Sequence, residues 1–495
     1  MDNKIELNDQ EIARREKLPK YEAAGLDPYG KAYKVSHHAS EIREIRKKKN
    51  AKQLEKLHLT VSFAGRIMAI RRMGKASFMK LQDKTGYMQV YMGIDVVGKK
   101  QYDLFKLADI GDIVGVKGFV MMTRTGELTI RCEKYTHLTK CLHPLPEKFH
   151  GLTDVEERYR RRYLDLIMND EAKAVAFMRP RMVRSIQEYL DKEGFIEVET
   201  SMLSPILGGA SARPFVTHHN ALDKDFYLRI ATEINLKKLL VGGLERVYEI
   251  GRLFRNEGMD ATHNPEFTTI EAYQAYGDLQ SMRKLAENMI RKAAKDVTGS
   301  AIVTYQDKVI DFKSPFRWVS MAELIKEKTG IDFNSQISFE EAKALADEHE
   351  IHLDKFKNTV GHIMNEFFEK YCEADLIQPT FVHTYPIEVS PLTKKSKDPR
   401  FVERFELFVN GHELANAYTE LNDPLDQRER FLAQLKAKEL GDEEANELDE
   451  EFLEALEYGM PPAGGIGMGI DRLACLLCNQ STIREIILFP TMKDK

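Results

Sequence analysis

Between Arg246 and Tyr276 the chain reads RVYEIGRLFRNEGMDATHNPEFTTIEAYQAY, its densest set of residues fit for chemistry. Val247–Ile250 with Phe254, and then Phe267–Tyr276, are rich in the β-branched and aromatic residues that strands favour. Between them Gly258, Asp260, Asn264 and Pro265 are loop formers. The spacing therefore predicts a long-looped antiparallel hairpin. Its pleat turns Arg255, Glu257, Glu271 and Tyr273 to one face, with His263 at the tip. Charge alone would be met by a solvated hairpin. An arginine, a histidine and a ring that can stack, Phe267, suit a nucleoside polyphosphate better, because guanidinium meets phosphate through paired hydrogen bonds.

Other stretches carry chemistry too. Gly208-Gly209-Ala210 predicts a loop where backbone can approach a ligand closely. Ala231–Leu240 is a short amphipathic helix carrying Glu233. From Arg404 the chain alternates again, which sets Glu406 and Glu413 on neighbouring strand ends, with Asn416 and Glu420 shortly after. The run Gly464-Gly-Ile-Gly-Met-Gly-Ile-Asp-Arg reads as a strand pressed against something, then a helix beginning at Asp471-Arg472. A glycine-rich stretch is a weak signal by itself. An arginine at the helix start strengthens it, since helix N-termini and guanidinium both favour phosphate.

The elements that must position these groups fill 495 residues, enough for two to four domains. No apolar run approaches the roughly 18 residues of a membrane span, and the polar start MDNKIELNDQ is no secretory signal. Five scattered cysteines do not make a disulfide framework, and Cys475 and Cys478 lack the partner pair that zinc needs. We therefore expect a cytoplasmic chain with no membrane association. Residues 1–150 hold 29 Lys+Arg against 18 Asp+Glu, so the acidic excess lies in the remainder. A basic front on an acidic body points to a polyanionic partner docking at the front.

Residues 1–58 read as a basic helical extension, with Pro19 interrupting a helix over 8–24 and a basic helix over Glu41–His58. Residues 59–143 hold five short strands with glycine-bearing turns, the pattern of a small oligonucleotide-binding (OB) β-barrel. Within it Phe78 is the best stacking platform, although a lone strand phenylalanine is as often core. Residues 144–176 read as linker or hinge. Residues 177–495 read as one large domain: a helix running through Gly194 into a strand over Phe195–Thr200, the hairpin above, a helical insertion at about 335–375, and an acidic helix over Glu439–Tyr458. The fold class is α+β.

Three features now stand together: the helix and strand ending in Glu199-Thr-Ser-Met-Leu, the Phe254-Arg-Asn-Glu hairpin with Phe267, and the glycine strand ending in Asp471-Arg472. This set resembles the three signature motifs of class II aminoacyl-tRNA synthetases. With the barrel before it, the chain looks like the subgroup for lysine, aspartate or asparagine, and most closely like the bacterial-type lysyl-tRNA synthetases. The first motif, associated with dimer contact, departs from the family in having Ser201 where proline is usual.

The resemblance implies activation of lysine by ATP to lysyl-adenylate, transfer to the 3′ end of tRNA(Lys), a homodimer, and Mg²⁺ held by Glu406 and Glu413. It implies Arg255, Arg472 and His263 as catalytic cations, and an ATP site of these with Glu257, Asn264 and Phe267, adenine lying between Phe267 and Arg472. The bound lysine would meet Gly209, Glu233, Glu271, Tyr273, Asn416 and Glu420. In the barrel, Phe78 and Gln89, with Arg66 beside them, match positions that read the anticodon. Physics supports the amino acid: three carboxylates in one pocket repel unless a cation enters, and an acidic guest would meet like charge. Arginine is the cationic rival. An aspartate or asparagine enzyme, a tRNA-binding paralogue without catalysis, and a protein-modifying lysine transferase are the alternatives. Intact Arg255, Glu406, Glu413 and Arg472 speak against the paralogue, and the barrel against the transferase.

Overall fold

Five strands close on themselves in the first part of the chain: β1 (Thr60–Met73), β2 (Ala76–Asp83), β3 (Gly86–Gly93), β4 (Ile113–Met122) and β5 (Leu128–Thr139). The computed structural model describes residues 7–146, 152–210, 212–441 and 447–494. It divides into two compact units, one ending at Gly151 and the other starting at Leu152. The barrel order is β1-β2-β3-β5-β4, antiparallel except for β3 with β5. Alternate residues such as Val61, Phe63, Met79 and Val90 fill its interior, as the two-residue period of a strand requires.

The amino-terminal segment packs on this barrel. Tyr33 lies over Gly115, where a Cβ would stand 2.5 Å from its ring. Lys140, wholly buried, reaches Asp109 at 2.6 Å and Asp112 at 2.8 Å, and Lys17 reaches the other oxygen of Asp109 at 2.6 Å. Losing one partner of such a buried network typically costs about 3–5 kcal/mol. The single basic helix expected over Glu41–His58 is two, Ala39–Lys47 and Ala51–Leu57. Asn50 breaks it because its side chain accepts from the Gln53 amide and so caps a new start. Pro19 acts likewise, falling in the first turn of a second helix, Leu18–Ala23.

Residues 147–151 of the expected linker lie outside the described residues. Beyond them that segment is helical, Val155–Arg160 and Arg162–Met168, and belongs to the second unit. Arg158 and Arg162 hold it there through Asp165 and Glu485.

In the second unit the strands are β6 (Ile196–Glu197), β7 (Leu203–Ser204), β8 (Val216–His219), β9 (Lys224–Leu228), β10 (Arg246–Phe254), β11 (Glu266–Ala275), β12 (Ile302–Tyr305), β13 (Lys308–Asp311), β14 (Arg317–Ser320), β15 (Thr380–Pro386), β16 (Phe401–Val409), β17 (His412–Thr419) and β18 (Ala463–Gly469). Eight of them form one sheet in the order β14-β15-β16-β17-β18-β11-β10-β6, antiparallel except at its two ends. The helices Asp170–Lys192 and Leu279–Thr298 pack together in its core, where Met182, Ile186 and Leu190 join Met289, Ile290 and Ala293. The strand expected over Phe195–Thr200 shortens to β6, since only Ile196 and Glu197 pair with β10. The insertion holds two helices, Phe339–Glu348 and Val360–Tyr371, whose Ile363 and Phe367 share a core with Leu324, Val382 and Phe408 of the sheet end of the domain. The acidic helix expected over Glu439–Tyr458 is two pieces: one helix ends at Glu439, another spans Glu450–Glu457, and residues 442–446 lie outside the described residues.

Candidate active site

Strands β11, β17 and β18 lie side by side, so the groups read from distant parts of the sequence face one cleft of about 490 Å³. Its floor is β18. Gly465, Gly467 and Gly469 share one face and bring bare backbone to the cleft. A Cβ at Gly465 would stand 2.0 Å from Glu420 Oε1 and 2.5 Å from the Tyr273 ring, so no side chain fits there.

At one end the hairpin β10–β11 supplies the cations. Arg255 follows β10, and its amide donates to the Pro265 carbonyl, closing the loop. Its guanidinium lies 5.2 Å from the Phe267 ring centre, and its Nε is buried with no hydrogen-bond partner among the described residues. The sequence reading sets Arg472 across the nucleobase from Phe267. Here Arg472 donates to the Glu413 carbonyl at 2.6 Å, and Arg255 is the guanidinium over that ring. Asp260 braces His263 at 2.8 Å, and the bonds from His263 and Thr262 outweigh burial to hold the Asp260 carboxyl well below its usual range. Asn264 is buried, donates to the Glu266 carbonyl, and leaves its Oδ1 unpaired among the described residues. Glu257 lines the same end from an exposed loop.

At the other end lie the carboxylates. Glu271 accepts from the Thr232 amide at 3.1 Å and from the Tyr273 hydroxyl at 3.0 Å. Burial, helped by the neighbouring charge of Glu233, pushes Glu271 up to about 7 despite these bonds. Glu233 lines the cleft and takes the Tyr418 hydroxyl at 2.6 Å; Gly209 lies beside it in the loop. Glu420 is not on the wall. It lies at the closed end beside the Tyr273 ring, over the face of Gly465 that a side chain would occupy, wholly buried, with Oε2 against the Lys237 ammonium at 2.5 Å and Oε1 unpaired among the described residues.

Glu406 and Glu413 sit on β16 and β17, with Asn416 opposite Glu406. Burial raises Glu406 to about 7, Glu413 adds to the rise, and Arg404 opposes it. Two nearby carboxylates that resist sharing charge make a fitting place for a hard dication, which needs only one or two protein carboxylates when phosphate oxygens complete its shell.

A family model described as tRNA synthetases class II (D, K and N) matches residues 154–493. The chain belongs to the class II tRNA synthetases. A second model, an OB-fold nucleic acid binding domain, matches residues 61–138 of this synthetase. Curated relatives include proteins named lysine–tRNA ligase from Streptococcus suis, 56% identical, and from Streptococcus sanguinis and Lactococcus lactis, each 54% identical, all over 99% of both chains.

In the synthetase's barrel, Phe78 is half-buried on the outer face beside Tyr91, ring centres 5.3 Å apart. Gln89 lies on the same face and donates to Thr129, and Lys80 stands 4.1 Å over the Tyr87 ring. Arg66 donates to the Gly111 carbonyl at 2.8 Å.

Three further residues shape the synthetase's cleft. Arg404 bonds Asn416 at 2.9 Å, the Val389 carbonyl at 2.8 Å and Glu406. Its place two residues before Glu406 on a strand was the signal. Asp471 joins Arg179 at 2.7 Å to the Thr268 amide at 2.8 Å, fixing β11 against the helix that carries Arg472. Lys237, one helical turn beyond Glu233, bridges Glu233 and Glu420. A Glu–Lys pair at that spacing reads from sequence as an ordinary surface pair.

The Glu271 shift has a measurable sign. A ligand that set an ammonium against Glu271 would prefer the ionised carboxylate, so the affinity for lysine, were it that ligand, should rise as pH climbs through about 7 and fall with each pH unit below it. Calorimetric titration of lysine across this range checks the point; a flat profile would contradict it.

Proposed function

We propose that this synthetase is a lysine–tRNA ligase: it activates L-lysine with ATP and transfers the lysyl group to the 3′ end of tRNA(Lys). The observation that carries the reading is the buried set Glu233, Glu271 and Glu420, three acids against the single ammonium of Lys237. Such a deficit favours a guest with two ammonium groups and disfavours aspartate, whose side chain would add like charge. The names of the relatives agree.

The substrate's α-ammonium lies by Glu233 and the Gly209 backbone, and its side-chain ammonium by Glu271, Tyr273, Asn416 and Glu420. ATP lies at the Arg255 end, with adenine on Phe267 and Asn264 and Glu257 near it. Arg255 draws the lysine carboxylate and the α-phosphate together, and Arg472 and His263 receive the pyrophosphate end. Two anions meet in this step, so fixed cations supply most of the rate. Glu406 and Glu413 are the residues that would hold Mg²⁺, which supplies charge neutralisation on the phosphates. No side chain serves as a covalent nucleophile.

Lysine-dependent pyrophosphate exchange, run with every proteinogenic amino acid, tests the reading. Lysine alone should support it, and activation of aspartate or arginine in its place would refute it. We assign the anticodon to the Phe78–Gln89 face, with Arg66 at its margin. Phe78→Ala should spare exchange and weaken tRNA charging by about one stacked base, roughly 1–3 kcal/mol. Equal losses in both assays would refute that division of labour.

We also read the enzyme as a cytoplasmic homodimer. Support comes from exposed apolar residues in the segment that carries Ser201: Ile196 on β6 at the edge of the large sheet, Met202 beside Ser201, and Leu203 on β7 of the three-stranded sheet. Among the described residues no helix is long and apolar enough to cross a membrane. Sedimentation of the purified chain gives the stoichiometry.

A further inference from the structure

Lys237 has no part in the reading above beyond its charge, yet among the described residues it is the one cation inside the acid cluster. Its side chain is fully buried on the helix Glu233–Val241. Its Nζ lies 2.6 Å from Glu233 Oε1 and 2.5 Å from Glu420 Oε2. The rings of Tyr418 and Phe452 flank it at 5.4 and 6.0 Å. Glu420 therefore has one oxygen committed to Lys237, while the other is unpaired among the described residues and lies against Tyr273.

We propose that Lys237 is a positioning residue for lysine recognition, holding Glu233 and Glu420 as oriented, ionised acceptors and setting the charge of the cluster to match the two ammonium groups of lysine. Burial raises Glu271 to about 7 and Glu420 to about 8, so the acids reach full charge when a cationic guest arrives; three carboxylates against Lys237 then leave two charges for it to meet. Simple Coulomb reasoning says the opposite of this proposal, because a buried ammonium repels a cationic guest. The difference lies in what replaces it. Buried carboxylates stripped of their counter-ion take up a proton, so removing Lys237 trades a fixed cation for a mobile one and loses the orientation of both acids. Burial works against the Lys237 charge, but Glu233 and Glu420 outweigh it and hold its pKa above the ordinary value. Burial, with the charges of Glu233 and Glu271, raises Glu420 to about 8, and Lys237 is the group that opposes the rise. The other groups facing this site are Glu271 and Tyr273 from β11 and Tyr418 from β17.

The inference rests on lysine occupying this pocket, and the wild-type amino-acid screen tests that assignment separately. K237M and K237R are measured by pyrophosphate exchange for the KM of lysine and of ATP between about pH 6.5 and 8.5, with thermal melting alongside. K237M should raise the lysine KM about tenfold or more, most at the acid end, with the ATP KM within about twofold. K237R, which keeps the charge, should recover most of the loss. A folded K237M with an unchanged or lower lysine KM overturns the proposal. So does a flat pH profile with both KM values rising together, or an arginine variant as impaired as the methionine one. If K237M does not fold, K237Q takes its place: a lysine KM raised more than the ATP KM supports the role, and unchanged values or equal shifts overturn it.

Discussion

Arg255→Ala should lower lysine-dependent pyrophosphate exchange by about a hundred- to a thousandfold, the usual cost of removing a group that meets charge developing in the transition state. The expectation follows from where Arg255 stands. It lines the cleft between Phe267 and the carboxylate end, and its buried Nε has no hydrogen-bond partner among the described residues. A guanidinium held against a ring and left short of a partner is ready to bond an anion. Arg255→Lys separates charge from shape: a point charge keeps the attraction but loses the paired bonds. We expect it to fall between alanine and wild type. A loss below about fivefold for alanine would move the catalytic cation elsewhere, and Arg472 would be the next to test.

The second large effect concerns Glu271. Glu271→Gln preserves size and can still accept from the Thr232 amide. It removes the charge that a bound ammonium would meet, worth about 2 kcal/mol for a charge-assisted bond, or roughly thirtyfold in lysine affinity. ATP affinity should stay largely intact, since Phe267 and Arg255 lie at the other end of the cleft. The same substitution should flatten the rise of lysine affinity through pH 7, because the titrating carboxyl is gone. Calorimetry on the wild type and the variant reads both effects. Unchanged lysine affinity would count against this pocket.

The barrel and the hairpin were legible because their signals are local. Five β-rich runs with glycine turns, and two strands around an Asn/Asp/Gly/Pro loop, name their own structure. Element breaks were harder. Asn50 caps a new helix three residues after the first one stops at Lys47, yet to a charge count it is one neutral residue in a basic run. The strand after Gly194 shortens because pairing with β10 lasts only two residues, which no local propensity sets. In the cleft, the cleft-lining groups lie on neighbouring strands, so alternation announced them. Glu420 is different: only the absence of a side chain at Gly465 lets it and the Tyr273 ring crowd together at the closed end. Lys237 was hidden for a related reason. Whether a Glu–Lys pair one turn apart faces water or a second glutamate depends on a residue far along the chain.

The glycine floor of the cleft has a pharmacological side. A compound that rests on β18 at Gly465, Gly467 and Gly469 touches peptide groups and no side chain. At Gly465 a side chain would run into the Tyr273 ring, whereas at Gly467 and Gly469 an added Cβ would meet Glu271 and Arg472 at ordinary contact distances of 3.6 and 3.5 Å. Resistance by point mutation is therefore closed off at Gly465 but open at the other two positions, so a compound anchored mainly over Gly465 leaves the fewest routes of escape.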